Sequence, residues 1–475
     1  MPKSFFVGML VAFGALAASL VSSAHAEESK ATAARLNVVL FLADDLGYMD
    51  IGANNPQTFY ETPRINSIAA KGMRFTRGYS ACCVCSPTRG SIMTGRYPTR
   101  YGITNFIDGK KPGKLQPPIN VTQLPAEETT MAEHFRDAGY TTFFAGKWHL
   151  GGAGSLPQDH GFMMGLNEGG RMKFPAKQPV KPIAEDGKLT DIISQTAVEF
   201  IKEHKDKPFF AYLPYNAPHI PVAAREKLIA KYREKAKSAP ADAFAPDGEF
   251  QVRQVQNQPD YAAMMEQFDE GVGRVLDTLD ELDLTKRTII VFVADNGGLS
   301  TAEGKPTSNV PLRTGKGWPY EGGVRVPLFV MAPGHTQAGS LCETPVCTID
   351  LLPTLMELAG VPASTKSPAV GPVDGVSFVP LLDGKTIAER PLFWHYPHYS
   401  NQGGNPHGAI REGNFKLVEW FEGNPLELYD LSKDISEKQN IAADHPDLVK
   451  SMHAKLIAWR KETGAKMPVP IATPK

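Results

Sequence analysis

Apolar residues in this chain gather into short unbroken runs separated by stretches of helical spacing. The runs are Leu36-Asn37-Val38-Val39-Leu40-Phe41-Leu42-Ala43, Thr141-Thr142-Phe143-Phe144-Ala145, Phe209-Phe210-Ala211-Tyr212-Leu213-Pro214 and Thr288-Ile289-Ile290-Val291-Phe292-Val293-Ala294. Such runs, rich in β-branched and aromatic residues, predict strands buried on both faces, as in a parallel sheet covered by helices. Between them, Thr62-Pro63 opens a helix that runs to Lys71-Gly72, with proline in the first turn and glycine at the end. Met131 to Ala138 ends at Gly139, and Leu189 to His204 and Tyr261 to Leu282 carry apolar residues at helical spacing. Thr348 to Leu358 reads as a further helix, closed by Gly360. Alternating strands and helices predict an α/β fold with a large, mostly parallel (mixed) sheet flanked by helices.

The pattern changes after a Pro- and Gly-rich interval from Val361 to Gly384. Pro391 to Tyr396 and Ala409 to Trp420 are strand-like; a turn, Leu426 to Leu431, and a helix from Pro446 to Arg460 follow. These predict a smaller C-terminal antiparallel sheet with one packed helix. The expected division is a signal peptide over 1–26, a large α/β domain over 27–385 and a small α+β subdomain over 386–475.

Composition bounds the function. The 475 residues are 42% hydrophobic and 21% charged, ordinary values for a globular chain long enough for more than one core. A formal net charge of -1 argues against nucleic-acid binding through bulk charge, so an anionic substrate has to meet a local basic pocket. Lys3, an apolar stretch from Phe5 to Leu20 and Ala24-His25-Ala26 read as a signal peptide with a small-x-small cleavage site. The apolar stretch is short for a membrane span and lacks a basic stop-transfer flank. The expected mature protein is exported, periplasmic or secreted, with no stable membrane insertion. Export places five cysteines in an oxidising compartment. Cys342 and Cys347 are close enough to bridge a small loop, whereas Cys82 and Cys83 are adjacent and make an awkward pair.

The four apolar runs end in residues with chemistry. The first leads into Asp44-Asp45, the second into Gly146-Lys147-Trp148-His149, the third into Tyr215-Asn216-Ala217-Pro218-His219 and the fourth into Asp295-Asn296-Gly297-Gly298. Adjacent carboxylates repel unless a cation joins them, and hard oxygen ligands favour Ca²⁺ or Mg²⁺. The alternative is a helix-capping Asp with a solvated neighbour. Ligands of open α/β sheets bind beyond the carboxyl ends of the strands, so four such endings on one sheet edge would assemble a single site. In the Gly-rich loop Pro311 to Gly323, Lys316 lies between two glycines, where an ammonium can approach an anion closely or simply face solvent.

One further stretch draws these together: Cys85-Ser86-Pro87-Thr88-Arg89-Gly90-Ser91-Ile92-Met93-Thr94-Gly95-Arg96. It follows a strand-like run, Met73 to Tyr79, and Pro87 suits the first turn of a helix. Cys85 is expected just before the helix N-terminus, where unpaired N–H groups and the dipole favour anionic chemistry. Arg89, one turn on, is placed to lie beside it. The arrangement suits a nucleophile attacking an anion; a buried cysteine beside an ordinary cap is the alternative.

The stretch resembles the signature of the type I sulfatases, Cys-x-Pro-Ser/Thr-Arg followed by an apolar pair, Thr and Gly, with Thr88 in place of the commoner serine. The resemblance to the arylsulfatase A-like sulfatases, within the alkaline phosphatase-like superfamily, extends from Val38 to Leu431. It includes Gly146-Lys147-Trp148-His149, Asp295-Asn296, Gly315-Lys316-Gly317, Tyr320-Glu321-Gly322-Gly323 and Leu428-Tyr429-Asp430-Leu431. The resemblance implies that a formylglycine-generating enzyme converts Cys85 to formylglycine, and that Asp44, Asp45, Asp295 and Asn296 hold one Ca²⁺ together with that residue. It implies that Lys147, His149, His219 and Lys316 surround the sulfate, with Arg89 and Lys147 positioning the nucleophile. Asp295 is the expected acceptor of the nucleophile's proton, His219 or Lys316 the general acid, and His149 the base that releases sulfate. The implied substrate is a sulfated carbohydrate, with aryl sulfates accepted as artificial substrates. Two rival readings are a phosphomonoester or phosphonate hydrolase, which needs ligands for a second metal, and a non-catalytic sulfated-glycan binder in which Cys85 stays a thiol. Candidate subsite loops are Gly152 to Lys188 and Pro391 to Gly413; His395 and His398 are candidate sugar contacts set against ordinary aromatic packing, and His160 is a hydrogen-bonded loop histidine set against a substrate contact.

Overall fold

The computed structural model describes residues 35–167, 189–365 and 371–471. The expected signal peptide and the 168–188 part of the first subsite loop lie outside the described residues.

The first apolar run forms β1 (Asn37–Ala43), followed by α1 (Pro63–Lys71) and β2 (Met73–Phe75). Then come α2 (Cys85–Thr94), α3 (Met131–Asp137), β3 (Thr141–Gly146), β4 (Met164–Asn167), α4 (Leu189–His204) and β5 (Phe209–Pro214). Two helices, α5 (Glu226–Ala236) and α6 (Pro259–Glu281), lead to β6 (Thr288–Ala294), β7 (Leu328–Met331), β8 (Ser340–Cys342) and α7 (Leu351–Ala359). These eight strands make one sheet in the order β8-β2-β7-β6-β1-β5-β3-β4. β6, β1, β5, β3 and β4 are mutually parallel, and β7 runs antiparallel to β6. Every residue of β1 and β6 is buried, so both faces of the sheet centre are covered, as their unbroken apolar runs require. Burying each Val, Leu, Ile or Phe there contributes about 1.5–3 kcal/mol.

Several elements depart from the sequence expectation. Met73 to Tyr79 is not one strand: β2 stops at Phe75, a turn intervenes, and Gly78–Tyr79 pairs with Val346–Cys347 in a separate small sheet. β7 and α5 carried too weak a pattern to be read. β7 has only four residues, and α5 buries only Leu228 and Tyr232 beneath a charged surface.

At the C-terminal end, β9 (Leu392–Tyr396), β10 (His407–Glu412), β11 (Phe415–Trp420) and β12 (Glu427–Asp430) form an antiparallel meander, followed by α8 (Pro446–Glu462). The expected single run Ala409 to Trp420 is thus a hairpin. Glu412 pairs with Phe415, and Gly413 takes the left-handed conformation (φ 56°) at the turn. Met452, Leu456 and Trp459 of α8 share one apolar cluster with Trp394, Leu417 and Trp420, and that cluster continues into Tyr79, Ala81, Cys82, Cys83 and Val84. The small sheet therefore packs directly against the segment that leads into Cys85.

Candidate active site

The parallel register dictates which side chains meet. Ala43 lies beside Ala294, so Asp44 follows one strand where Asp295 follows its neighbour. Asp45 turns through a left-handed conformation (φ 62°), its N–H donates to Asp295 Oδ1 at 3.1 Å, and Asn296 Nδ2 donates to Asp45 Oδ1 at 2.8 Å. At the end of β3, a Cβ on Gly146 (φ 136°) would fall 1.9 Å from the Pro214 carbonyl, so only glycine fits there. Lys147 N–H then bonds that same carbonyl at 2.8 Å, and His149 (φ 55°) turns back over the sheet edge. His219 lies five residues beyond β5, between the cis peptides Ala217–Pro218 and Ile220–Pro221.

Cys85 is the first residue of α2, with Val84 as its cap, so it sits inside the helix start rather than just before it, and Pro87 falls in that first turn. All ten residues of α2 are buried, and Gly95 (φ 66°) ends it with its N–H on the Ser91 carbonyl. Arg89 is fully buried beneath Cys85. Its Nε donates to Asp295 Oδ2 at 2.9 Å, Nη1 donates to the Lys147 carbonyl at 2.6 Å, and Nη2 lies 3.5 Å from Asp44. Lys147 Nζ is 2.5 Å from Asp44 Oδ2 and 4.0 Å from Cys85 Sγ. Lys316 Nζ is 2.8 Å from Asp45 Oδ2, and His219 Nε2 is 3.4 Å from the same oxygen.

The Sulfatase family profile matches residues 36–361 of the chain. The chain belongs to the sulfatase family. A second profile, N-sulphoglucosamine sulphohydrolase, C-terminal, matches residues 314–462. This sulfatase is 30% identical to a sulfatase of Formosa agariphila across 95% of its own length and 93% of the relative's. It is 30% identical to human arylsulfatase A over 85% of the chain and 83% of that protein, and 29% identical to mouse N-acetylgalactosamine-6-sulfatase over 86% and 76%. Among solved structures, Ps i-CgsB in complex with k-i-k-neocarrahexaose superposes with a TM-score of 0.72 at 28% identity, covering 90% of this chain and 92% of that one. This sulfatase is a sulfuric ester hydrolase on an alkaline phosphatase-like fold.

The electrostatics of the sulfatase site follow from burial against pairing. Burial raises the Asp44 carboxyl, but Lys147, His219, Arg89 and Lys316 together hold it well below the usual carboxylate range. Asp295 goes the other way, to about 6, because burial and Asp44 outweigh Arg89. Burial pushes the Cys85 thiol up to about 11 against the pull of Lys147 and Lys316. Burial, reinforced by Lys147 and Arg89, pushes His149 down to about 3, so its ring is neutral at physiological pH. Burial works against the charged form of Lys316, yet Asp45 and Cys85 hold the ammonium well above its usual range.

The donor set fits a hard cation. Asp44, Asp45, Cys85 and His219 bring ligand atoms within 4.8 Å of one another, and this is the one such group among the described residues. Asp44 Oδ1 and Asn296 Oδ1 are buried oxygens with no hydrogen-bond partner. His219 was expected at the sulfate rather than in this group. Asp295, expected as a further ligand, adjoins the group: its Oδ1 accepts from Asp45 N–H and its Oδ2 from Arg89.

Above this floor opens a cleft of about 580 Å³ that exposes Cys85, Lys147, His149, His219 and Lys316 to a common space. Its walls add Phe106, Ile107, Ile220, Glu303, Asn401 and Gln402, none of which the sequence marked individually. Asn401 and Gln402 do fall in the expected subsite stretch Pro391 to Gly413. His395 and His398, the candidate sugar contacts in that stretch, are buried away from the cleft. His395 Nε2 is 2.9 Å from the Lys466 carbonyl, and His398 Nε2 is 2.8 Å from Thr104 Oγ1. His160 is a hydrogen-bonded loop residue, its Nε2 2.9 Å from Ser155 Oγ. Cys82 and Cys83 are buried in the cluster that backs α2, and Cys342 and Cys347 are separate free thiols rather than a bridge.

Proposed function

We propose that this sulfatase is an exported enzyme that removes sulfate from a sulfated carbohydrate, using formylglycine made from Cys85 and one bound Ca²⁺. The observation that carries the reading is the convergence of Cys85, Lys147, His149, His219 and Lys316 on one cleft above a buried acidic floor. A thiol held near 11 is protonated at neutral pH and a poor nucleophile, which favours a Cys85 that acts after modification. A carbohydrate substrate is supported by relatives named for N-acetylgalactosamine 6-sulfate and by the neocarrahexaose bound to Ps i-CgsB.

Asp44, Asp45, Asn296 and Asp295 are the residues that would hold Ca²⁺, which supplies Lewis-acid neutralisation of charge on the sulfate oxygens. Formylglycine supplies, as its hydrate, two hydroxyls on one carbon. The chain's own residues do the rest. Lys147 and Lys316 hold sulfate oxygens in a pocket where fixed charges act at short range. Arg89 keeps Asp295 and the Lys147 backbone in place, and Asp295, near 6, takes up a proton at the start of the reaction. His219 or Lys316 gives a proton to the departing sugar oxygen. His149 is kept neutral by burial and its cationic neighbours, so its ring can accept a proton as sulfate is released.

The test is a peptide mass spectrum spanning Cys85 from protein made in its native host, paired with sulfate release from a panel of sulfated sugars. Conversion of the thiol to an aldehyde at Cys85, with sulfate released, is the expected result. An unmodified thiol in fully active enzyme would overturn the formylglycine reading.

A further inference from the structure

We propose that Glu303 sorts substrates by the group beside the scissile sulfate. Its carboxylate accepts a hydrogen bond from a free hydroxyl of the sulfated sugar and disfavours a second sulfate at that position. The proposal rests on the carbohydrate sulfatase reading above and deepens it.

Glu303 lines the cleft together with Cys85, Lys147 and Lys316. It sits in a tight turn in which Lys305 N–H bonds the Ala302 carbonyl at 2.9 Å, and both central residues are left-handed, Glu303 at φ 53° and Gly304 at φ 84°. Turns of that kind favour Asn, Asp or Gly at the first central position, because a longer side chain is strained there. A strained residue on a cleft wall points to a use for its side chain, since nothing in the turn itself calls for glutamate. The turn is anchored on both sides. Arg253 Nε donates to the Lys305 carbonyl at 2.6 Å, and Thr301 Oγ1 donates to the Gln402 carbonyl at 2.7 Å. Glu303 is therefore presented on a fixed frame beside Asn401 and Gln402.

The charge of Glu303 is what sets it apart. Asp44, Asp45 and Asp295 each have a cationic partner at the floor of the cleft. Among the described residues Glu303 makes no ion pair and no side-chain hydrogen bond. An unpaired carboxylate on the wall of a site built for an anion opposes every additional negative charge on the substrate, and it offers a strong acceptor to a hydroxyl. The substrate class this selects is a sugar with one sulfate in reach of the floor and an unsulfated hydroxyl toward Glu303.

The experiment compares wild type, Glu303→Gln, which keeps the shape and removes the charge, and Glu303→Gly, which suits the left-handed backbone and removes the side chain. Hydrolysis of 4-nitrophenyl sulfate is competed with N-acetylgalactosamine 6-sulfate and with N-acetylgalactosamine 4,6-disulfate, so that binding is read even where a sugar is not turned over. Turnover of 4-nitrophenyl sulfate, which offers no neighbouring hydroxyl, is expected to stay within about twofold in all three proteins. The ratio of the disulfate to the monosulfate inhibition constant is expected to fall about tenfold in both variants, the size expected for removing one like-charge contact in a partly desolvated cleft. An unchanged ratio, or no competition by either sugar, overturns the role of Glu303 while aryl sulfate turnover still supports the enzyme reading. A wild-type protein that hydrolyses no sulfate ester overturns that reading and this proposal with it.

Discussion

Arg89 reaches from α2 to Asp295 at the end of β6, Nη2 to Oδ2 at 2.8 Å, and both side chains are fully buried. The same guanidinium donates to the Lys147 carbonyl and faces Asp44, so one side chain ties α2 to three strand ends. The fork geometry of arginine is what allows this; a lysine offers a single point charge. Positioning and charge balance at this site are thus the same structural fact.

Arg89→Lys is expected to leave at least one of these acceptors unpaired in the interior. Breaking a buried, hydrogen-bonded charge network costs about 3–5 kcal/mol, which a urea unfolding midpoint would register. Because Lys147 and Asp295 both lose their support, kcat/KM for an aryl sulfate should fall by about 10²–10³. A variant with wild-type stability and turnover would show that Arg89 is dispensable as a tie.

Cys85→Ala removes the proposed nucleophile while keeping a good helix former at the first position of a buried helix. Turnover should disappear. The unfolding midpoint should shift little, because only a sulfur is lost from a site that already opens into the cleft. Residual activity near wild type would sink the mechanism, whereas an unfolded variant would be seen in the circular dichroism spectrum.

The sheet centre was legible because each apolar run ended in residues with chemistry, and a parallel register brings such endings together. Ala43 beside Ala294 is enough to juxtapose Asp44 and Asp295. The partner of Arg89 was not legible: spacing along α2 places its guanidinium near Cys85 but says nothing of Asp295, far off in sequence. β7 is a run of only four residues between Pro327 and Pro333-Gly334, and α5 has a charged surface, so both fell below the pattern. His395 and His398 stood between two readings because alternating aromatics suit a binding face or a core face; both are buried in the core. Glu303 lay in a polar loop whose composition carries no sign of direction. Its left-handed backbone appears only in three dimensions.

Removal of divalent cation with a chelator should abolish activity and lower the melting temperature. Asp44 Oδ1 and Asn296 Oδ1 are buried without hydrogen-bond partners, so a cation that binds them stabilises the native state alone. Restoring Ca²⁺ should recover both readouts, and a melting temperature indifferent to chelation would remove the metal from this site. Asp45→Asn should weaken Ca²⁺ binding, raising the Ca²⁺ concentration that restores activity, because it reduces the charge of the donor set.

His407 gives a pH dependence whose sign can be worked out. It is fully buried, with Nδ1 2.8 Å from the Asn405 carbonyl, and burial, assisted by Lys416 and Arg460, pushes it down to about 3. In the unfolded chain a histidine titrates near ~6.5. The folded value lies below the unfolded one, so the unfolded state binds the proton first as pH falls. Its contribution to stability is complete above about pH 6.5 and is lost progressively toward pH 3. His407→Gln lacks this titration. The stability gap between wild type and His407→Gln should therefore be widest near neutral pH and narrow on acidification, by at most about 1.4 kcal/mol per pH unit. A gap that is constant or grows toward acid, in urea melts at several pH values, would contradict the assignment.

Lys416 offers the sharpest test of how the small sheet supports the site. Its ammonium lies 3.1 Å from Glu321 and 3.0 Å from Glu437, with all three side chains fully buried. Tyr79 OH donates to Glu321 at 2.9 Å, and Glu321 N–H donates to Glu437 at 2.6 Å. Glu321 closes the same Gly-rich loop that presents Lys316, so β11 and that loop share one ion cluster. Lys416→Met should leave Glu437 without its cation and Glu321 with only the more distant Arg325, 3.5 Å away, at a cost of about 3–5 kcal/mol. Glu437→Gln alone should cost less, because Glu321 keeps its cation. In the double variant one of the stranded charges is gone, so the loss should be smaller than the sum of the two single losses. Strict additivity would mean that the cluster is not coupled. If coupling is found, kcat/KM for an aryl sulfate should track it, since the loop that carries Lys316 is anchored by Glu321.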